Sequence, residues 1–417
     1  MTRQDQFFAY LAWFLGALFF LVDYVIRVSP SVLTPELMRT FHVHAFAIGL
    51  FSGYFYYIYI GMQIPVGMLV DRYGPKRLLI MSILICALST VIFSNTHSIS
   101  TGYFSRMLMG FGAAFAFVGT LKLISLKFNP ERFALLAGIT QAMGMLGAMI
   151  GQGPIALLYH HVGWRLVMGG FSMFFILLSL CVFLFTKENK ITSHDHDASG
   201  ATKMLSALKA VLTNRQNWLN CLFVGFLYAP SACFGEQWGA SFLSVNQNIS
   251  IATAGHETGI MFIGLAIGCP VLGWISDYFK TRIIVMRASA IVCFALLTMV
   301  IYGNLSLIWS TVFLFVYGFF NGAIVVSYSM ASEINARRFT GIALGIANMA
   351  SVLVGALMIP VVGFILDFFW NGKIVNGIHF FSPHIYKIAF LALPIAFIGA
   401  VVITFFQKDS KCKRMLA

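Results

Sequence analysis

The sequence predicts an all-α polytopic membrane protein whose twelve membrane-crossing helices form two six-helix bundles. Three observations predict it. Of 417 residues, 59% are hydrophobic and only 10% charged, against about 25% charged in a soluble domain, and the mean hydropathy is +0.86. Twelve apolar runs approach or exceed the roughly 20 residues that a helix needs to cross a bilayer. Residues of the first half also recur at a fixed offset in the second.

The spans run over 7–29, 46–69, 78–95, 101–126, 133–158, 165–186, 217–243, 257–276, 283–303, 305–331, 340–368 and 386–406. Span 1 follows Arg3 as a signal peptide would. It reaches Asp23 and Arg27 with no small-residue cleavage site, so it reads as a retained helix. Span 2 holds "YFYYIY" at 54–59, rings that spread around a helix so that only part of them faces inward. Span 5 holds "GITQAMGMLGAMIGQGP", in which Gly138, Gly147 and Gly151 suit close packing or a gating kink. A short turn at Asn304 separates spans 9 and 10.

Between spans 6 and 7 lies the least hydrophobic long stretch, 187–216. There Met204, Leu205, Leu208, Val211 and Leu212 fall at the spacing of an amphipathic surface helix. It divides the chain into an N-terminal bundle (1–186), a cytoplasmic linker (187–216) and a C-terminal bundle (217–417). Its "HDHD" at 194–197 reads as solvated charge, because a metal site needs fixed ligands held by outer hydrogen bonds.

The net charge of +13 fits the positive-inside rule rather than nucleic-acid binding. With the N-terminus inside, one set of turns collects Arg72, Lys76, Arg77, Lys127, Arg132, Lys187, Lys190, Lys203, Lys209, Arg215, Lys280, Arg282, Arg337 and Arg338, and the tail adds Lys408, Lys411, Lys413 and Arg414. The opposite turns hold Arg39, Arg165, Lys373 and Lys387. Both termini are therefore expected in the cytoplasm, with the chain in a bacterial inner membrane. Seven scattered cysteines with no CxxC pair predict neither a disulfide framework nor a metal centre.

The repeat is visible in "GMLVDRYGPKR" at 67–77 and "GWISDYFKTR" at 273–282. Gly67 to Gly273 is 273 − 67 = 206 positions, and the same offset joins Asp71 to Asp277, Gly112 to Gly318, Asn129 to Asn335, Arg132 to Arg338, Phe133 to Phe339 and Pro154 to Pro360. A duplicated helical unit is a transporter arrangement, with its site at the repeat interface near the membrane midplane. The loop at 67–77 resembles the cytoplasmic signature of the major facilitator superfamily, and "RMLMGFG" at 106–112 resembles its helix 4 pattern. In the second copy, Lys280 stands at the position of Gly74. The resemblance implies two bundles rocking about a cavity lined by helices 1, 4, 7 and 10. "RVSPSVLTPELM" and "YFYYIYIGMQIPVGMLVDRYGPKR" further resemble nutrient importers of the Pht and Fpt kind and, more distantly, lysosomal dipeptide carriers.

Ionisable residues inside spans are costly and normally face a bundle interior. Asp23 and Arg27 on span 1, Arg106 on span 4 and Glu236 on span 7 fall in one layer when depth is counted at about 1.5 Å per residue; Lys122 lies nearer the cytoplasmic mouth. Asp23 and Arg27, four apart, either form an internal pair pinning helix 1 or offer an oriented fork to a substrate carboxylate. Glu236 is expected to be neutral, paired across the cavity or hydrated, and to carry a proton or receive a substrate ammonium.

Trp238, Asn321, Tyr57 and Gln141 complete the expected substrate set. Tyr54, Gln63, Gln152, Tyr228, Gln237, Tyr317 and Asn348 are further polar candidates, most of them expected to hold helices together. Asp71, Arg72, Arg106, Lys122 and Asp277 are assigned to coupling or gating, with Asp71 a contact made in one access state and lost in the other.

No nucleophile motif, HExxH, GxSxG or Walker loop occurs, so an enzyme is not expected. The expectation is a monomeric secondary carrier of a small polar metabolite, an amino acid or short peptide, working by alternating access. It would contact substrate and lipid but no nucleic acid, hold no cofactor, and have a co-transported proton as an option. A drug or siderophore exporter and a non-transporting membrane sensor are the alternatives.

Overall fold

The computed structural model describes residues 3–128, 130–186, 208–336, 340–375 and 377–413, with the side chains of Ile64, Asp71, Pro130, Glu131, Phe133, Ala134 and Leu135 outside that description. Among the described residues, twelve helices are long and apolar enough to cross a membrane. They are Gln4–Val28, Ala45–Gln63, Pro75–Asn95, Ile99–Lys127, Leu136–Val162, Trp164–Phe185, Arg215–Gln247, Ile251–Tyr278, Ile283–Tyr302, Leu307–Glu333, Thr340–Phe368 and Pro383–Ile403, spans 1 to 12 in order. The expected "HDHD" and the expected contacts of Met204 and Leu205 lie outside the described residues. The remainder of the amphipathic segment is a short helix over 208–213, with Val211 buried against Cys221, Ala343 and Ile346.

Local chemistry explains the joints. Span 1 stops before Pro30, whose ring opens a separate helix, Pro30–Phe41, that closes on His42 in the left-handed conformation (φ 51°). The helix of span 2 continues to Tyr73 and ends on Gly74 at φ 82°, a backbone angle that favours glycine, before Pro75 starts span 3. Pro154 restarts span 5 after Gln152, and span 10 breaks between Asn321 and Ile324. A two-stranded hairpin, Ile374–Val375 with Ile378–His379, joins spans 11 and 12.

Spans 1–6 and 7–12 each pack mainly among themselves, and the two sets meet where span 2 lies along span 11 and span 5 along span 8. Buried hydrophobic residues run continuously through both bundles. Glycines allow the tightest approaches. A Cβ on Gly110 would stand 2.2 Å from the Phe55 carbonyl oxygen. In the second bundle, one on Gly318 would stand 1.9 Å from that of Met261. Phe55 to Met261 keeps the 206 offset, but Gly110 to Gly318 is 318 − 110 = 208, so the expected pairing of Gly112 with Gly318 is not the equivalence these contacts follow. Gly112 faces Cys86 of span 3 instead.

The bundles touch unevenly along their length. On the side away from the termini, a Cβ on Gly49 would stand 2.7 Å from Pro360 Cα, one on Gly363 2.6 Å from the Ala45 carbonyl, and one on Gly255 2.2 Å from the Gln152 carbonyl. Toward the termini, a Cβ on Gly61, Gly67, Gly138, Gly341 or Gly345, on the same interfacial helices, would meet nothing within 4 Å. The interface is closed by backbone contact at one end, while at the other the interfacial glycines have open space beside them.

Candidate functional site at the bundle interface

Asp23 and Arg27 sit one turn apart on span 1, joined at 3.0 Å from Arg27 Nη2 to Asp23 Oδ2, with both side chains 4% exposed. The guanidinium lies 4.1 Å from the Tyr24 ring, 4.7 Å from Tyr59 and 5.2 Å from Phe55. Its Nε is buried with no hydrogen-bond partner among the described residues.

Arg106, on span 4, serves the end of span 1. Its Nη1 donates to the Ile26 carbonyl and its Nη2 to the Arg27 carbonyl, both at 3.2 Å. Pro30 has no N–H to complete the helical bond to the Ile26 oxygen, which accepts instead from Arg106 and from the Ser29 hydroxyl at 2.8 Å. Negative carbonyl ends of a helix also favour a cation there. Arg106 shares the Phe55 face with Arg27, at 4.8 Å.

Glu236 approaches from the other bundle. It lies in a π-helical segment, Ser231–Trp238, within span 7. Its Oε1 accepts from the Tyr228 hydroxyl at 2.7 Å and its Oε2 from the hydroxyl of Tyr56 on span 2. The next residue also crosses the interface: Gln237 accepts from Ser52 and donates to Thr34 at 3.1 Å. Gln152 of span 5 donates to the Gly235 carbonyl of the same segment and accepts from Thr258 of span 8. π-helical turns leave backbone carbonyls differently placed from those of an α-helix and are frequent at functional sites.

The other expected residues are distributed as follows. Tyr57 donates across the interface to the Ala356 carbonyl at 3.2 Å, and Gln63 accepts from Asn348 at 3.4 Å. Trp238 donates to the Ile359 carbonyl at 3.0 Å, and Asn321 to the Leu227 carbonyl at 2.9 Å, both within the C-terminal bundle. Gln141 is half-buried on span 5, and Lys122 is half-buried on span 4, 122 − 106 = 16 positions beyond Arg106. That separation is about 24 Å of helix, so Lys122 is not part of the charged layer.

Of the gating residues, Asp71 has its side chain outside the described ones, and Arg72 is exposed over Tyr73. Asp277 pairs with Arg282 at 2.6 Å. Arg282 also holds Glu333 at 2.6 Å, and Glu333 accepts from Ser410 of the tail.

The sequence reading missed three sets of residues. Glu257 is a buried carboxylate that accepts from Ser310 at 2.5 Å; hydropathy starts span 8 at 257 and so puts this residue at its edge, whereas the helix begins at Ile251. Tyr56, Ser52 and Thr34, the partners of Glu236 and Gln237, gave no signal beyond their positions in polar-containing helices. Glu333 was hidden by its place at the very end of span 10.

Comparison with known proteins places this geometry. The Major Facilitator Superfamily profile matches residues 12–360. The chain is 25% identical over 278 residues to a probable sulfoacetate transporter, SauU, of Cupriavidus necator, covering 64% of each chain. It is 24% identical over 407 residues to a probable galactarate/D-glucarate transporter, GudP, of Escherichia coli, covering 88% of this chain and 90% of that one. Two of the curated relatives it matches are spanned over only 65% and 64% of their length. A solved bacterial homolog of the human lysosomal transporter Spinster, in an inward-facing and occupied conformation, superposes with TM-score 0.78 at 16% identity, over 94% of this chain and 95% of that one. With a matching profile over most of its length and twelve spans in two bundles, the chain belongs to the Major Facilitator Superfamily.

Proposed function

We propose that the protein is a secondary carrier of a bacterial inner membrane, both termini cytoplasmic, that moves a small organic anion of sugar-acid size together with a proton by alternating access. The observation that carries this reading is Arg27: a buried guanidinium at the bundle interface, boxed by aromatic rings, with its Nε unpartnered among the described residues. An unpaired buried donor is costly, and a carboxylate with its two oxygens matches the guanidinium fork.

The expectation of an amino acid or peptide has Glu236 receive a substrate ammonium across from the guanidinium groups of the first bundle. Both oxygens of Glu236 are taken by tyrosine hydroxyls, and the relatives whose names include a substrate carry anions. The site therefore favours an anion over a zwitterion. Coupling follows from charge. Asp23 and Glu236 balance Arg27 and Arg106, so one added carboxylate leaves a net negative charge in a poorly solvated layer. A proton on Glu236 restores neutrality and weakens its acceptance of the Tyr56 hydroxyl, which is one of the ties between the bundles.

Uptake of labelled D-glucuronate and D-glucarate into proteoliposomes with an inward proton gradient tests this. Gradient-driven uptake that Arg27→Ala abolishes is expected, in a variant that stays folded and monodisperse although its Tm falls because Asp23 is left buried without its partner. Uptake indifferent to Arg27→Ala, or ligand-induced stabilisation without flux of any organic anion, would overturn it; the second result would mark a sensor.

A further inference from the structure

The shut end of the interface carries a contact that the transport site does not use. His44, the residue before span 2, stacks on His379 of the hairpin, with ring centroids 3.8 Å apart and planes 15° from parallel. Trp370 stacks on the other face of His379 at 3.5 Å and 8°. One imidazole comes from each bundle, so the stack bridges them.

Beside it, Asp367 at the end of span 11 accepts from the backbone amides of Ala45 at 3.0 Å and Phe46 at 2.7 Å, filling the open N-terminus of span 2 from the opposite bundle. His379 Nδ1 stands 3.9 Å from the Asp367 carboxylate, too far for a hydrogen bond, and is buried with no hydrogen-bond partner among the described residues. The other charged or titratable groups on the surrounding elements are Glu36 and Arg39, paired at 3.2 Å on the helix Pro30–Phe41, then His42, Lys373 over Phe380, and His384 and Lys387 at the start of span 12.

We propose that His44, His379 and Asp367 form a pH-sensitive latch, in which neutral stacked imidazoles hold this end of the two bundles together and their protonation releases it. Two imidazolium rings cannot lie face to face at van der Waals distance without strong repulsion. A protonated His379 also draws the Asp367 carboxylate toward its own bundle and away from the span 2 amides. Both effects loosen the same end.

The direction of titration agrees with the geometry. Burial, with His44 alongside, holds His379 below the ordinary imidazole value in spite of Asp367. The latched form is thus favoured above the ordinary imidazole pKa of about 6.5 and loses that advantage as the pH falls below it. The inference stands apart from the substrate reading, since no substrate is needed for the latch to open.

The test is pulsed electron–electron distance measurement between spin labels on Ser100→Cys and Ser306→Cys, exposed positions at the rims of the two bundles on this side. The full chain is used in nanodiscs without substrate, with its accessible native cysteines replaced by serine. A longer-distance population should grow as the pH is lowered from about 8 to about 5, the range in which imidazole changes charge. His44→Gln with His379→Gln should flatten that response. Glu236→Gln, which removes the proposed proton carrier, should leave the response in place, so a failed coupling scheme and a failed latch give different results. Distances that ignore pH in the parent protein, or a pH response that survives the double His→Gln change, would overturn the latch. Asp367→Asn serves as the second variant: it should open the rim at neutral pH, and an unchanged closed distance would equally count against the proposal.

Discussion

Two buried arginines share one aromatic wall yet answer to different demands. Arg106 spends both terminal nitrogens on carbonyls at the end of span 1, where Pro30 has no N–H to give the Ile26 oxygen. Arg27 spends one on Asp23. The Nε of each is buried with no hydrogen-bond partner among the described residues, so what sets Arg27 apart is its ion pair with Asp23 and the three rings around it. Arg106→Leu should therefore act on stability, lowering Tm by orphaning the Arg27 carbonyl at a cost on the order of 1–3 kcal/mol. Arg27→Lys should leave Tm nearly unchanged and reduce anion uptake at least about tenfold, since an ammonium cannot offer the planar fork. Comparing thermal unfolding with initial uptake rate for the two variants separates the roles. The four charges were legible in the sequence because an ionisable residue in an apolar run stands out. Their partners were not: which tyrosine of "YFYYIY" meets Glu236 depends on helix rotation, and Tyr56 is 236 − 56 = 180 positions away.

A different residue shows how the tail is tied down. Asp409 accepts from the Thr281 hydroxyl at 2.7 Å, the Arg282 amide at 3.1 Å and the Lys411 amide at 2.9 Å, capping the start of span 9. Burial pulls its carboxyl upward, but the Lys411 amide, the Thr281 hydroxyl and the Arg282 amide outweigh it and hold the group below the ordinary value of 3.8. Its contribution is accordingly present above that value and lost as the pH falls below it. Asp409→Asn, which keeps an acceptor but removes the negative charge at the start of span 9, should cost up to about 1 kcal/mol. The difference in Tm from the parent protein should vanish in strong acid.

At the scale of elements, the interfacial helices are set by glycine at the shut end and by space at the open one. Span 2 and span 11 approach so closely that a Cβ on Gly49 meets Pro360 backbone at 2.7 Å. Gly49→Val should cost the closed arrangement about 1–3 kcal/mol of overpacking, and so favour the state open on this side. Labelling of an introduced rim cysteine by a membrane-impermeant maleimide should then accelerate. Twelve spans and the bundle division could be read from hydropathy and the linker. The π segment of span 7 could not, because nothing in "SACFGEQW" departs from ordinary helical composition. It arises from tertiary demand, with consecutive Glu236 and Gln237 both reaching the N-terminal bundle and Gln152 bonding the Gly235 carbonyl.

For the whole molecule, the decisive quantity is the charge of the layer between the bundles when it is loaded. In the proposed alternating-access cycle that layer is exposed to one face and then the other, so any net charge brought in with the cargo would cross the membrane field, at about 2.3 kcal/mol per elementary charge per 100 mV. Asp23, Glu236, Arg27 and Arg106 sum to zero when ionised. A monoanion entering with one proton leaves that sum unchanged, and the loaded carrier feels no potential. Accumulation of D-glucuronate should then follow the proton gradient alone and be insensitive to a potassium–valinomycin potential, interior negative. An anion moving without a proton would instead be opposed by about 2.3 kcal/mol at 100 mV, roughly a fiftyfold loss in accumulation ratio. Glu236→Gln should convert the first behaviour to exchange: counterflow of preloaded anion continues, while net uptake no longer answers to pH. If net uptake in Glu236→Gln still tracks the proton gradient, the proton travels on Asp23 or on another group, and the neutral-layer account of coupling through Glu236 fails.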